Sequence, residues 1–178
     1  MKQRITPNNN EVRLEDDDLI VSKTDTKGRI TYANRDFMAI SGFAEPELLG
    51  QPHNLIRHPD MPRGVFKLMW DTLQGGSEFF GYVKNLCRDG SYYWVLANVT
   101  PDRDVGGQLR GYYSVRRRPA PSALAVIVPL YQRMLAAEAQ ASGRDAMARS
   151  TEVLQDALGG HRSYTRFILD LIERDRHA

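Results

Sequence analysis

The sequence has 178 residues, 42% of them hydrophobic, which is enough for one fully cored domain with an appendage and short for two ordinary domains. Lys plus Arg number 24 against 22 Asp plus Glu, and a net charge of +2 lacks the long-range field by which nucleic-acid and acidic-membrane binders attract their partners. A lone cysteine, Cys87, excludes an internal disulfide framework and Cys-rich metal sites, and no stretch approaches the roughly 18 consecutive apolar residues of a membrane span.

Residues 1–17 are polar, with Asn8-Asn9-Asn10 and Asp16-Asp17-Asp18, and read as a loose arm or short helical cap. Leu19-Ile20-Val21 and Arg29-Ile30-Thr31-Tyr32 form two short strands joined by the turn Asp25-Thr26-Lys27-Gly28. Asn34 caps a helix carrying Phe37, Met38 and Ile40 that ends at Ser41-Gly42, and a second short helix around Pro46 to Leu49 stops at Gly50. From Pro52 to Pro62 three prolines and two histidines leave at most a turn or two of helix, a composition that a plain core does not explain.

Pro62 starts a longer helix whose apolar face holds Val65, Phe66, Leu68, Met69, Trp70 and Leu73, and Gly75-Gly76 ends it. Strands follow over Phe79 to Cys87 and Ser91 to Thr100, joined across Arg88-Asp89-Gly90, and then over Gln108 to Arg117. The run Arg116-Arg117-Arg118 reads as a solvated face and is assigned no partner. After Pro119 the period is helical: stripes on Leu124 to Leu135, on Met147, Leu154 and Leu158, and on Tyr164 to Ile172 are separated at Gly143 and Gly159-Gly160. Pro129 either kinks the first of these helices or marks its start. The tail packs on its own domain or on a twin chain. The expected architecture is α+β: an arm over 1–17, a domain over 18–119 and a helical extension over 120–178. The domain has a five-stranded, mostly antiparallel sheet with short helices and one long helix on one face.

The stretches Ile30-Thr31-Tyr32-Ala33-Asn34, Ser41-Gly42-Phe43, Gly50-Gln51-Pro52-His53-Asn54, Arg57-His58-Pro59-Asp60-Met61-Pro62, Val83-Lys84-Asn85 and Tyr93-Trp94-Val95-x-Ala97-Asn98 resemble the PAS family. Within it they are similar to the sensor domain of bacterial aerotaxis receptors. The resemblance spans roughly residues 15 to 135. It implies a PAS fold that binds FAD and reports redox or oxygen status by protein contacts, as in energy taxis. It also implies that Arg57, His58 and Asp60 hold the flavin, with Asn34, Phe66, Trp70 and Asn85 as further pocket residues. Aerotaxis receptors run on into membrane and coiled-coil signalling segments that this sequence does not show, and the tail with Tyr164-x-x-Phe167 resembles that of short stand-alone PAS proteins.

The residues can meet a flavin's needs. Asn85 and Asn98 lie on neighbouring strands, and an amide both donates and accepts, as the pyrimidine edge requires. Phe66 and Trp70, four apart on the long helix, offer aromatic surface, and Arg57 can make a forked pair with phosphate. The same residues also have plainer roles as core, edge and surface groups, and Asp60 as a helix cap. With only four histidines, two of them distant at His161 and His177, His58 reads as a structural or flavin-contacting imidazole rather than a metal ligand. The segment Asn54-Leu55-Ile56-Arg57 lacks the cysteine of adduct-forming photoreceptors, and Cys87 reads as a buried small side chain.

The expectation is a cytoplasmic, soluble sensor module and not an enzyme, with FAD ahead of FMN as cofactor. Its partners are signalling proteins such as a chemotaxis receptor or related component; nucleic acid and membrane insertion are not expected, and pairing of two chains through the C-terminal helices stays open. A heme-binding gas sensor, with His53 or His58 as axial ligand, and a cofactor-free interaction domain are the alternatives.

Overall fold

The computed structural model describes residues 5–159 and 163–176. The start of the arm, residues 1–4, and Gly160, His161 and His177, noted above, lie outside the described residues. Contacts group the chain into two compact units: Met1–His58 with Val83–Arg118, and Pro59–Tyr82 with Pro119–Ala178.

The first unit is built on a five-stranded sheet in the order β2-β1-β5-β4-β3. Its strands are β1 (Ile20–Asp25), β2 (Ile30–Ala33), β3 (Phe79–Leu86), β4 (Tyr92–Arg103) and β5 (Leu109–Arg117). β1 pairs antiparallel with β2 and β5, and β4 pairs antiparallel with β5. In the β1–β2 turn the Asp25 carboxylate accepts the amides of Lys27 at 2.8 Å and Arg29 at 2.9 Å, an Asx-type closure that explains the short loop. Asn34 caps α1 (Arg35–Ser41) as expected, accepting the Phe37 amide at 3.1 Å, and Gly42 ends the helix at φ 73°, a left-handed conformation suited to glycine. A short α2 (Glu45–Leu48) and a 3₁₀ turn (His53–Ile56) follow. The apolar core of this unit gathers Ile20, Ile30, Phe37, Leu48, Ile56, Tyr93 and Val95.

Residues 5–17 of the arm form no helix and are bound to the sheet. Val12 donates to the Tyr92 carbonyl at 2.8 Å and Tyr92 donates to the Asn10 carbonyl at 2.9 Å, so the arm runs parallel beside the start of β4, with Leu14 buried behind it. At the β3–β4 hairpin Gly90 has φ 94°, and a Cβ there would stand 2.3 Å from the Thr6 carbonyl oxygen. Both the turn and the docked arm therefore need glycine at this position.

The second unit contains the long helix α3 (Arg63–Gln74) with α4 (Pro121–Ala139), α5 (Gly143–Leu158) and α6 (Tyr164–Arg176), and the first residues of β3. Pro129 lies inside α4, so Pro121 and not Pro129 starts that helix. Its stripe is buried within this unit at Ile127, Leu130, Tyr131 and Met134. A Cβ on Gly64 of α3 would stand 2.7 Å from Ser150 Oγ of α5 and 3.2 Å from Met134 Cε of α4, so these helices approach at a point where no side chain fits. The Tyr131 hydroxyl donates to the Tyr82 carbonyl at 2.7 Å, and the Tyr164 ring stacks on Phe79 with centroids 5.7 Å apart. The tail thus packs within this unit, on α3 and on the first residues of β3. Among the described residues no helix is long and apolar enough to cross a membrane.

Candidate functional site

Strand alternation brings a polar cluster into the core of the first unit. Ile20 and Ala97 both pair with Arg116, so the three side chains share one face of the sheet, and Tyr93 and Val95 on β4 alternate onto the same face. Ser22 follows Ile20 by two residues on β1 and faces the same way. Arg116 is only 2% exposed, whereas Arg117 and Arg118 are exposed. The reading of this run as a solvated face is therefore corrected at Arg116. The pleat turns its guanidinium inward while its neighbour turns out, and three consecutive like charges mask that alternation in the sequence.

The guanidinium is poorly satisfied. Its Nη2 donates to Ser22 Oγ, and its carbon lies 4.8 Å from the centroid of the Phe37 ring, a cation–π contact. Nε and Nη1 are buried without hydrogen-bond partners. Ser22 Oγ also lies 3.1 Å from His53 Nε2. Because arginine only donates, Ser22 accepts from it and has its own hydroxyl proton to give to an unprotonated His53. Burial, reinforced by the Arg116 charge, pulls the half-buried His53 down to about 3, so its imidazole is neutral. Burial also lowers Arg116 to about 10, which leaves it charged at neutral pH. Burial raises Tyr93 above the ordinary phenol range. Its hydroxyl lies toward the buried Asn85 amide without meeting hydrogen-bond geometry.

This environment holds a positive charge and several open donors but no carboxylate paired to them among the described residues. An unsatisfied buried polar group costs on the order of 1–3 kcal/mol, and an unpaired charge more. A group with electron-rich acceptor atoms answers that deficit, and the pyrimidine edge of a flavin, with its carbonyl oxygens and ring nitrogens, is such a group.

The residues expected from the sequence divide between the units. Arg57 and Asn85 are joined by an antiparallel bridge, and the His58 amide donates to the Lys84 carbonyl at 3.4 Å, so the Arg57-His58 segment runs along β3. His58 is buried, with its ring edge-on to Tyr92 at 5.9 Å. Asn34 is committed to the backbone: its oxygen accepts from Val21 at 3.0 Å as well as from Phe37, and its amide donates to the Leu19 carbonyl at 2.6 Å. Asn98 pairs with Val115 and stands on the opposite face of the sheet from Tyr93 and Arg116. Asp60, Phe66 and Trp70 belong to the second unit, where Asp60 is exposed and both aromatic residues are half-buried. Asp60 is not the cap of α3, whose N-cap is Pro62. Sequence reading missed Arg116, Ser22, His53 and Tyr93 as a cluster. The available signal was the period of two along β5, which separates Arg116 from Arg117.

A family profile of the PAS fold matches residues 30–116. The aerotaxis receptor of Escherichia coli K12 is 44% identical over 121 residues, which are 68% of this chain and 24% of the receptor. A nitrogen fixation regulatory protein of Klebsiella pneumoniae is 33% identical over 104 residues, covering 58% of this chain and 21% of that protein. The chain thus spans less than a quarter of the length of either relative. Among solved structures, the dark state of the blue-light photoreceptor Aureochrome1 LOV superposes with a TM-score of 0.55 at 19% identity, covering 63% of this chain and 82% of that one, a likeness of fold.

Proposed function

The chain belongs to the PAS family, and from that premise we propose that it is a redox or oxygen sensor that binds a flavin, FAD ahead of FMN, in its PAS domain. The carrying observation is the buried, unpaired guanidinium of Arg116, on the same sheet face as Tyr93, in a chain 44% identical to an aerotaxis receptor over 121 residues. The flavin, when bound, supplies reversible electron uptake. The protein's own residues bind and orient it: Arg116 and Asn85 address the polar edge, and Arg57, half-buried at the end of the 3₁₀ turn, is the cation offered to phosphate. His58, packed on Tyr92, positions the segment that carries Arg57. Asn34 serves the fold through its bonds to the backbone.

The module has no catalytic role in this reading. It acts in the cytoplasm and passes its state to signalling partners of the chemotaxis type through changed protein contacts. The stripe of α4 is used inside the chain, so pairing of two chains through the C-terminal helices would use another face.

A visible spectrum of the purified protein, before and after reconstitution with FAD, tests the reading. Flavin absorbance that survives gel filtration and a raised Tm with added FAD are expected. A Soret band would replace flavin by heme, and colourless protein with an unchanged Tm would leave a cofactor-free interaction domain.

A further inference from the structure

Arg116 raises a question that cofactor binding alone does not answer, because a neutral donor such as glutamine would satisfy a carbonyl edge without burying a charge. The guanidinium is 2% exposed, and only one of its nitrogens has a partner, the uncharged hydroxyl of Ser22. The titratable side chains coupled to it, His53 and Tyr93, are both held neutral by burial. The positive charge therefore has no protein counter-ion among the described residues, and burying it costs several kcal/mol. Such a charge is compensated when the group it faces becomes negative.

We propose that Arg116 sets the charge preference of this site: its open Nε and Nη1 groups hold the edge of the bound ring and favour the ring when that edge carries negative charge. The inference rests on the flavin reading above and adds to it a residue and a role. Ser22 is the positioning residue, since it engages Nη2 and leaves the other two nitrogens directed elsewhere, and Phe37 supports the guanidinium from its face. Two electrons from a reductant and one proton then convert the flavin to an anion. The second proton stays in solution because Arg116 supplies the compensating charge.

The test uses the full chain reconstituted with FAD and reduced stepwise with dithionite against a reference dye. In R116Q the preference for reduced over oxidised flavin is expected to fall at least tenfold, a midpoint potential lower by about 30 mV for a two-electron couple. R116K, which keeps the charge, is expected to retain most of the native potential. A native potential in R116Q with flavin bound overturns the inference and leaves the flavin reading standing. Should R116Q fail to fold or to hold flavin, the native protein decides. The pH dependence of its potential in mildly acid buffer should report one proton per electron pair, and two protons would refute the role of Arg116. If the native protein binds no flavin, the functional reading itself fails and carries this inference with it.

Discussion

Glu138, near the end of α4, accepts the main-chain amide of Arg63 at 2.7 Å, and that of Gly64 at 3.3 Å, in the first turn of α3. The carboxylate substitutes for a local cap: Pro62 provides no side-chain acceptor, and the helix N-terminus favours negative charge. Replacing Glu138 with Ala should cost about 1 kcal/mol, and E138Q should recover part of this. Chemical denaturation of the variants measures the difference. Equal stability of E138A and native protein would show that solvent serves those amides as well.

Removing the C-terminal helices should harm α3. Val65 and Leu73 are buried at 1% and 2% exposure, and α3 packs against α5 in the second unit. A chain ending at residue 119 loses that cover as well as Glu138, a deficit on the order of 3–6 kcal/mol from the apolar terms alone. Thermal unfolding followed by circular dichroism should show a clearly lower Tm or early aggregation. An unchanged cooperative transition would establish that the chain up to residue 119 folds without the C-terminal helices.

The folded protein resists protonation of His53. Its value in the fold, about 3, lies below the ordinary 6.5, so between these pH values the unfolded chain binds a proton that the folded chain refuses. Stability is therefore fully present above about pH 6.5 and declines as pH falls toward 3. With a discount for the half-buried ring, the loss by pH 4.5 is on the order of 2 kcal/mol. In H53Q, which can still meet Ser22, the slope of Tm against pH should flatten across this window. The same slope in both proteins would mean that His53 titrates freely.

Cys87 should be inert. Burial, reinforced by the charge of Asp89, pushes its thiol up to about 12, and Sγ lies 3.3 Å from the Ile40 carbonyl, to which it donates. Labelling by a disulfide reagent at pH 8 should be on the order of a hundredfold slower than in denaturant. Equally fast labelling would place the thiol at the surface.

The elements with local signals were legible in the sequence. The Asp89-Gly90 hairpin, the Asn34 cap and the glycine stop at Gly42 each depend on residues within a few positions, and all three stand where the spacing places them. The partners of those elements were less legible. The apolar face of α3 announces that the helix is covered, but the groups that meet its first turn, Met134 and Ser150 at Gly64 and the Glu138 carboxylate at the main-chain amides, come from about seventy residues or more along the chain. The site was half legible for a similar reason. Arg57 and Asn85 carry a recognisable motif, whereas Arg116 is hidden in a basic run, and only the pairing of β5 with β1 and β4 reveals which way it faces.

The pairing of the arm with Tyr92 has a practical bearing on where this protein can be trimmed. β5 stops opposite Leu96, so the first residues of β4 extend past their neighbour, and residues 10–12 occupy the vacant lane. A deletion back to residue 18 would leave that ribbon bare, open to recruit an extended segment from any passing polypeptide. The stretch before the first strand behaves as a cover for an adhesive border, and its removal trades a tidy boundary for a sticky one.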